Sequence, residues 1–290
     1  MMGNGIRAAL EDSPIISAEL SDSEILALEV SFQGLDVIAE IDTMPNLIFL
    51  DIRGNCLTSL PAKIPDLKCI QQVLAGSNRI ASLPQNWPLT QLRKLDISNN
   101  GISVLPTYFL SSIPMLSQLD ISRNIISTIP VSISALSSLT NFDASHNRIK
   151  TLPSIFSQLK SMQVMDLSAN LIKKIPDTVF DSMTSLSRLF LQENPLEELP
   201  SISDCISLLT LDISDTSITQ LPRAIAYLPL LTTLHCESNR LIPQPTKILD
   251  FTACEDKICM LYMHMVVPTP GICAQGLPAI RAALRKSKLS

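Results

Sequence analysis

The chain has 290 residues, a formal net charge of -5, 46% hydrophobic and 17% charged residues, and only 4% aromatics. That apolar content excludes a disordered chain, and the acidic balance excludes a strongly basic nucleic-acid binder. With one Trp and 8 Phe, the core has to be filled by Leu and Ile, which suits a thin layered architecture better than one thick globule.

The first segment, Met1 to Leu20, mixes Arg7, Glu11 and Asp12 with small residues and holds no apolar run ending in a cleavage site, so no secretory signal is expected. Gly3 follows Met2, but Arg7 stands where a myristoylation signal needs Ser or Thr. The longest apolar stretch, Ile258 to Val267 around His264, falls short of the roughly 20 residues needed to span a bilayer. The 7 cysteines, at 56, 69, 205, 236, 254, 259 and 273, form no paired framework. They point to free thiols in a reducing compartment, and a cytoplasmic protein is expected.

From residue 21 to 243 the chain repeats itself. A degenerate first unit carries Ile25, Leu28, Val30, Gln33, Leu35 and Ile38. The full pattern LxxLxLxxNxLxxLP then appears, for example as Leu92, Leu95, Ile97, Asn100, Ile102, Leu105 and Pro106. Its Asn column runs 55, 78, 100, 124, 147, 170, 194 and 239, with Thr216 standing in once, so the spacing stays between 22 and 24 residues. Ten such units need no second domain; residues 1–20 are an N-terminal segment and cap, and 244–290 a C-terminal cap.

Each column has a physical reading. Alternation in the LxL segment sends Leu119 and Ile121 inward and leaves Gln118, Asp120 and Ser122 on the other face of a short parallel strand. One unit cannot cover its apolar side alone, so neighbours must stack. The Asn amide, both donor and acceptor, can bridge backbone groups that the bend leaves unpaired, and Thr216 can do only part of that. The prolines at 61, 84, 106, 130, 153, 176, 200 and 222 favour an extended or 3-10 return segment over a long helix. Phe109 and Phe180 sit three and four residues after the proline in the two 24-residue units and are expected as core filler, as is the inward Cys236.

The pattern resembles the leucine-rich repeat family. The resemblance implies an α/β solenoid, a curved right-handed superhelix with a parallel concave sheet, and a partner protein bound on that concave face. After Pro243 and Pro245 the period stops, and two helix-like segments, Thr246 to Met265 and Leu277 to Lys288, are expected. The stretch Ile272, Gln275, Gly276, Ala279, Ile280, Leu284, Arg285 resembles the helical ending of intracellular Ras-scaffold leucine-rich repeat proteins, with residues 249–271 as an insertion. By that resemblance the partner is a signalling protein such as a small GTPase or a phosphatase subunit, and the chain is a scaffold or adaptor; the alternative is a regulatory or targeting subunit of such an enzyme.

The concave columns are where partner-binding residues are sought. Four residues before the Asn column stand Glu29, Asp51, Leu74, Asp96, Asp120, Asp143, Asp166, Phe190, Asp212 and His235. Carboxylates on neighbouring strands about 4.8 Å apart repel one another, so the stripe should prefer a cationic surface. The plainer reading makes these Asp residues hydrogen-bonded filler, held by Ser98, Ser122, Ser145, Ser168 or Ser214. Phe49 and Leu74 near one end, and Val164, Arg188 and Phe190 near the other, put apolar or guanidinium groups on a polar face, as binding hot spots do; Phe190 packing over Val164 and Arg188 is the alternative.

Catalysis finds little support. Asp212, His235 and Ser214 invite a triad reading, but a strand face offers neither pocket nor oxyanion donors, and an Asp212 to His235 ion pair is the simpler expectation. Cys254, Glu255, Asp256 matches a CxD string of ubiquitin-ligase effectors that need a separate catalytic domain. Cys254, Cys259, His264 and Cys273 match no standard Zn²⁺ spacing. The basic cluster Arg281, Arg285, Lys286, Lys288 reads as one face of an amphipathic cap. The sequence therefore predicts a non-enzymatic, monomeric module without cofactor, metal, nucleic acid or membrane span.

Overall fold

The computed structural model describes residues 25–38, 41–241 and 261–262. The expected N-terminal cap, the basic cluster and the residues from Cys254 to Cys259 lie outside the described residues. The chain divides into two compact units, Met1–Arg148 and Ile149–Ser290.

The first unit holds six three-residue strands, β1 (Ala27–Glu29), β2 (Phe49–Asp51), β3 (Gln72–Leu74), β4 (Lys94–Asp96), β5 (Gln118–Asp120) and β6 (Asn141–Asp143). Each pairs with the next in parallel, and equivalent residues stand side by side, as in Leu95↔Leu119↔Phe142. The second unit holds β7 (Val164–Asp166), β8 (Arg188–Phe190), β9 (Thr210–Asp212), β10 (Thr233–His235) and the two-residue β11 (Leu261–Tyr262), paired the same way.

The period-two alternation is realised in every full-length strand. The middle residue, such as Leu50, Leu119, Leu189 or Leu234, is buried, and so is the next inward residue, such as Ile52, Ile121 or Cys236. Where Phe142 takes the middle position the following inward residue is Ala144, so a large side chain is offset by a small one in the same layer. Phe109 and Phe180 are fully buried, as expected of filler. Trp87 stacks on Phe109 with ring centroids 5.4 Å apart, a pair that joins two successive returns of the first unit.

The returns are short, as the prolines require. Val131–Ala135, Ser154–Gln158 and Arg223–Tyr227 are 3-10 turns that each begin directly after a proline. The longer unit around Phe109 makes one turn of α-helix, α1 (Thr107–Ser111), after Pro106.

The turn that carries the chain off each strand has a feature invisible in the repeat pattern. The residue just before the ladder position adopts a left-handed conformation: Gly54 (φ 66), Ser77 (φ 57), Asn99 (φ 50), Arg123 (φ 54), His146 (φ 53), Ala169 (φ 51). A non-glycine residue pays about 1–2 kcal/mol for this. The ladder Asn offsets it. Asn124 Nδ2 donates to the carbonyls of Ile97, Ile121 and Ser122, and its Oδ1 accepts from Ile102 N–H. Asn55, Asn78, Asn100, Asn147, Asn194 and Asn239 likewise donate to carbonyls of their own and the preceding repeat. Thr216 approaches Ile213 O at 3.1 Å and Asn239 Oδ1 at 2.5 Å, but its hydroxyl has one hydrogen and serves one of them at a time.

One expectation is corrected at the C-terminal side. Leu261 and Tyr262, inside the segment Thr246 to Met265 read as helix, are extended and pair with Leu234 and His235. An open parallel edge at β10 presents unpaired N–H and C=O groups, and closing it competes with helix formation there. The rest of both expected C-terminal helices lies outside the described residues.

Candidate partner-binding face

The strands position two outward columns, formed by their first and third residues. The third-position aspartates are not loose charges. Ser98 donates both its backbone N–H (2.9 Å) and its hydroxyl (2.6 Å) to Asp96 Oδ1. Ser145 does the same to Asp143 (2.9 and 2.7 Å), Ser168 to Asp166 (2.9 and 2.6 Å) and Ser214 to Asp212 (3.0 and 2.7 Å), and Ser122 N–H donates to Asp120 at 2.9 Å. The local cause is an Asx-type turn: a carboxylate two residues ahead of an N–H caps the chain as it leaves the strand. The plainer reading of these positions thus has its hydrogen bonds, and it fixes the carboxylates in a regular row.

In the first unit that row costs charge. Asp96, Asp120 and Asp143 stand side by side in register. Burial pushes the Asp120 carboxyl above its usual range, the two Ser122 hydrogen bonds oppose this, and the charges of Asp143 and Asp96 add to the rise.

Besides β1, where Glu29 stands for Asp, four three-residue strands break the Asp-x-Ser pairing, and these shape the face. In β2, Asp51 is buried and clasped by Arg53, whose backbone N–H and Nε both reach Asp51 Oδ1 at 3.0 Å; that hydrogen bonding raises the guanidinium pKa further. In β3, Leu74 was expected on the open face, but it is only 6% exposed, lying between Asp51 and Asp96 in register. Burying an apolar side chain is favourable, and its low exposure removes Leu74 from the accessible surface. Its partner position is Gly76, where an added Cβ would come within 2.8 Å of Ser98 Oγ and 2.9 Å of Asp96 Oδ1, so the bare backbone lets that pair close over it.

In β8, Phe190 replaces Asp and Gln192 replaces Ser. Phe190 is half-buried and Arg188 exposed. The register sets Phe190 between Asp166 and Asp212, while Val164, also half-buried, stands beside Arg188. Gln192 Oε1 is buried without a hydrogen-bond partner. In β10, His235 Nδ1 lies 4.0 Å from Glu237 Oε1, and Glu237 Oε2 is buried and unpartnered. Phe49, in the first-position column of β2, is half-buried.

The same distances correct the catalytic geometry. His235 neighbours Asp212 in register, but its ion pair is with Glu237 rather than Asp212. The Ser214 hydroxyl is committed to Asp212, so no serine is aimed at the imidazole. A recess lined by Gln85, Asn86, Tyr108, Ser111 and Ser112 offers hydroxyls and amides with one titratable group, Tyr108. Among the described residues no group of three or more His, Cys, Asp and Glu is placed to hold a metal ion, and no helix is long and apolar enough to cross a membrane. Cys254, Cys259, His264 and Cys273 lie outside the described residues. The described cysteines, 56, 69, 205 and 236, are free thiols.

Sequence reasoning missed Arg53, Gly76, Gln192 and Glu237 as parts of this face. The signal was available, since each sits two residues after the third strand position, where Ser is the rule.

The comparisons agree with the repeat architecture. A family model described as "Leucine rich repeat" matches residues 90–149 and 151–196. A mouse leucine-rich repeat serine/threonine-protein kinase is 32% identical over 90 residues, 29% of this chain and 4% of that protein, so the similarity spans a small fraction of the relative's length. Among solved structures, a Leptospira interrogans leucine-rich repeat protein superposes with a TM-score of 0.69 at 22% identity, covering 85% of this chain and 72% of that one. The ectodomain of an Arabidopsis thaliana receptor kinase, solved in complex with Casparian strip integrity factor 2, gives a TM-score of 0.57 at 27% identity, covering 71% of this chain and 29% of that one.

Proposed function

We propose that this chain, a leucine-rich repeat protein, is a non-enzymatic interaction module that docks a partner protein on the outward columns of its strands, acting as a scaffold or adaptor in intracellular signalling. The observation that carries the reading is the pinned row of carboxylates, Asp96, Asp120 and Asp143 in the first unit and Asp166 and Asp212 in the second, each oriented in advance by a serine. Side chains fixed before binding lose little entropy on binding, and a row of one sign selects a basic partner surface. The receptor ectodomain solved with its factor shows another chain of this fold holding a ligand. Free thiols support a reducing, cytoplasmic setting.

The test is affinity capture with the wild-type chain and with a variant carrying Asp96→Asn, Asp120→Asn and Asp143→Asn, with folding checked by circular dichroism. Asn keeps an acceptor for each serine and removes the charge. Loss of a stoichiometric partner supports docking on the strand face; the same partners bound equally well by this variant and by Phe190→Ala refute it. A captured small GTPase or phosphatase whose turnover changes on binding would make the chain a regulatory subunit rather than a passive scaffold.

A further inference from the structure

We propose that Phe190, with Asp166 and Asp212 on either side, forms a seat for an arginine side chain of the partner protein. The proposal rests on the strand face being the docking surface and names what one part of it recognises.

The seat is built from register. Phe190 lies directly between Asp166 and Asp212 on successive parallel strands. Two strand spacings separate the carboxylate positions by about 9.6 Å, with an aromatic ring at the midpoint. A guanidinium laid on the ring points N–H groups outward in its own plane, and two such hydrogen bonds of about 2.9 Å with the width of the group reach about 8 Å, so each carboxylate leans toward the ring by under about 1 Å to close the span. Each carboxylate already accepts two hydrogen bonds from its serine at Oδ1. Those bonds hold it in place, and at Asp212 they take two of the roughly four acceptor sites of an ionised carboxylate.

The second observation is an unmet acceptor two residues along the chain from the ring. Gln192 stands where the flanking strands carry Ser168 and Ser214, and its Oε1 is buried without a hydrogen-bond partner. A buried acceptor left unmet is costly, so Gln192 gains by turning its amide out of its enclosed position to meet a ligand N–H. Arginine has five such donors in a planar fork that also stacks on aromatic faces, whereas a lysine ammonium is a compact, strongly hydrated charge that cannot lie flat on a ring and reach both sides.

The surrounding charge favours a cation. Acidic groups near the seat are Asp166, Asp212, Glu193 and Glu237, against Arg188 and His235, and the His235 imidazole is beside Glu237 at 4.0 Å. Arg188 shares the strand with Phe190 but belongs to the other outward column, beside Val164, and has no ion pair among the described residues.

The probe is the peptide acetyl-Gly-Arg-Gly-amide, titrated at low salt into the full chain while NMR follows the Phe190 ring and the Gln192 side-chain amide; acetyl-Gly-Lys-Gly-amide is the control. Saturable shifts at both groups are expected, with the arginine peptide bound about three-fold or more tightly than the lysine one, and with a comparable loss in Phe190→Leu and in Asp166→Asn/Asp212→Asn. Both substitutions are conservative, and unchanged circular dichroism separates lost binding from lost fold. Absent shifts, or equal binding of the two peptides, overturn the seat. Binding that appears only after Arg188→Ala also overturns it, because the chain's own arginine would then fill the site. A partner lost on Asp96, Asp120 and Asp143 replacement, with no peptide effect at Phe190, would sink the seat while leaving the docking face intact.

Discussion

Replacing Asn124 with Ala tests whether the amide ladder, rather than the leucine layers alone, holds the repeats together. Asn124 is 6% exposed, and its side chain makes contacts of 3.0, 3.0 and 3.1 Å to the carbonyls of Ile97, Ile121 and Ser122 and one of 3.0 Å from Ile102 N–H. The carbonyls are not orphaned by the substitution. Ile97 O keeps Asn100 Nδ2, Ile121 O keeps Asn147 Nδ2, and Ser122 O keeps Asn99 N–H. Only the Ile102 N–H loses its acceptor, which costs about 1–3 kcal/mol when buried; with the weakened shared bonds and the small void, the loss is roughly 2–4 kcal/mol. Asn124→Asp separates polarity from volume: it keeps the shape and the acceptor for Ile102, but turns a carboxylate oxygen toward three carbonyls. It should be at least as damaging as Ala at neutral pH. Urea unfolding followed by the fluorescence of Trp87, the single Trp and a buried residue of the same unit, measures both. A loss under about 0.5 kcal/mol for Ala, or a harmless Asp, would refute the reasoning.

The converse change, Thr216→Asn, should stabilise the second unit by about 1 kcal/mol, because the amide supplies two donors where the hydroxyl at 216 has one; a lower urea midpoint than wild type would count against this. Since the folded Asp120 carboxyl titrates above its usual range, its contribution to stability is present at low pH and is lost as pH rises through that raised value. Asp120→Asn should therefore be more stable than wild type above that pH and show a flatter stability profile through the acidic range, measured as urea midpoints against pH. Burial pushes the thiols of Cys205 and Cys236 up to about 12, leaving on the order of one thiolate in 10,000 at pH 8. Iodoacetamide on the native chain should then modify exposed Cys69 well before Cys205 or Cys236, as peptide mass spectrometry would show.

The repeat was legible because its determinants are local and periodic. Asn at a fixed distance after LxL, and proline after the next apolar pair, specify strand, turn and return without reference to distant residues. The left-handed position before each Asn was not legible. Gly54, Ser77, Arg123, His146 and Ala169 share no chemistry, and Phe32 and Asp215 adopt the same positive φ before Gln33 and Thr216, so the turn off the strand sets the conformation whichever residue stands there. Burial on the strand face was also out of reach, because it depends on the heights of neighbours across strands. Leu74 is covered because of what stands at 51 and 96, and Asp51 is enclosed because Arg53 folds back on it. The edge pairing of Leu261 is a long-range competition that no local helical pattern reports.

The acidic row is therefore weaker evidence for recognition when read as charge than when read through its exceptions. Aspartate recurs at the third strand position because an oxygen there caps the Ser N–H two residues on, a requirement of the turn that any repeat can meet without a ligand. A strand that abandons the pair gives up that cap and has to gain elsewhere. In β2 the gain is visible, an Arg53 clasp inside the same chain. In β3 it is burial of Leu74 over a bare Gly76. In β8 and β10 no full return is present: Phe190 stays half-buried with Gln192 Oε1 unmet, and beside His235 the Glu237 Oε2 is unpartnered, but only β8 sets an aromatic ring between two aspartates. Local rules are broken at functional or strained positions, and that makes Phe190, at the proposed seat, rather than the more numerous aspartates, the residue on which a search for the partner should begin.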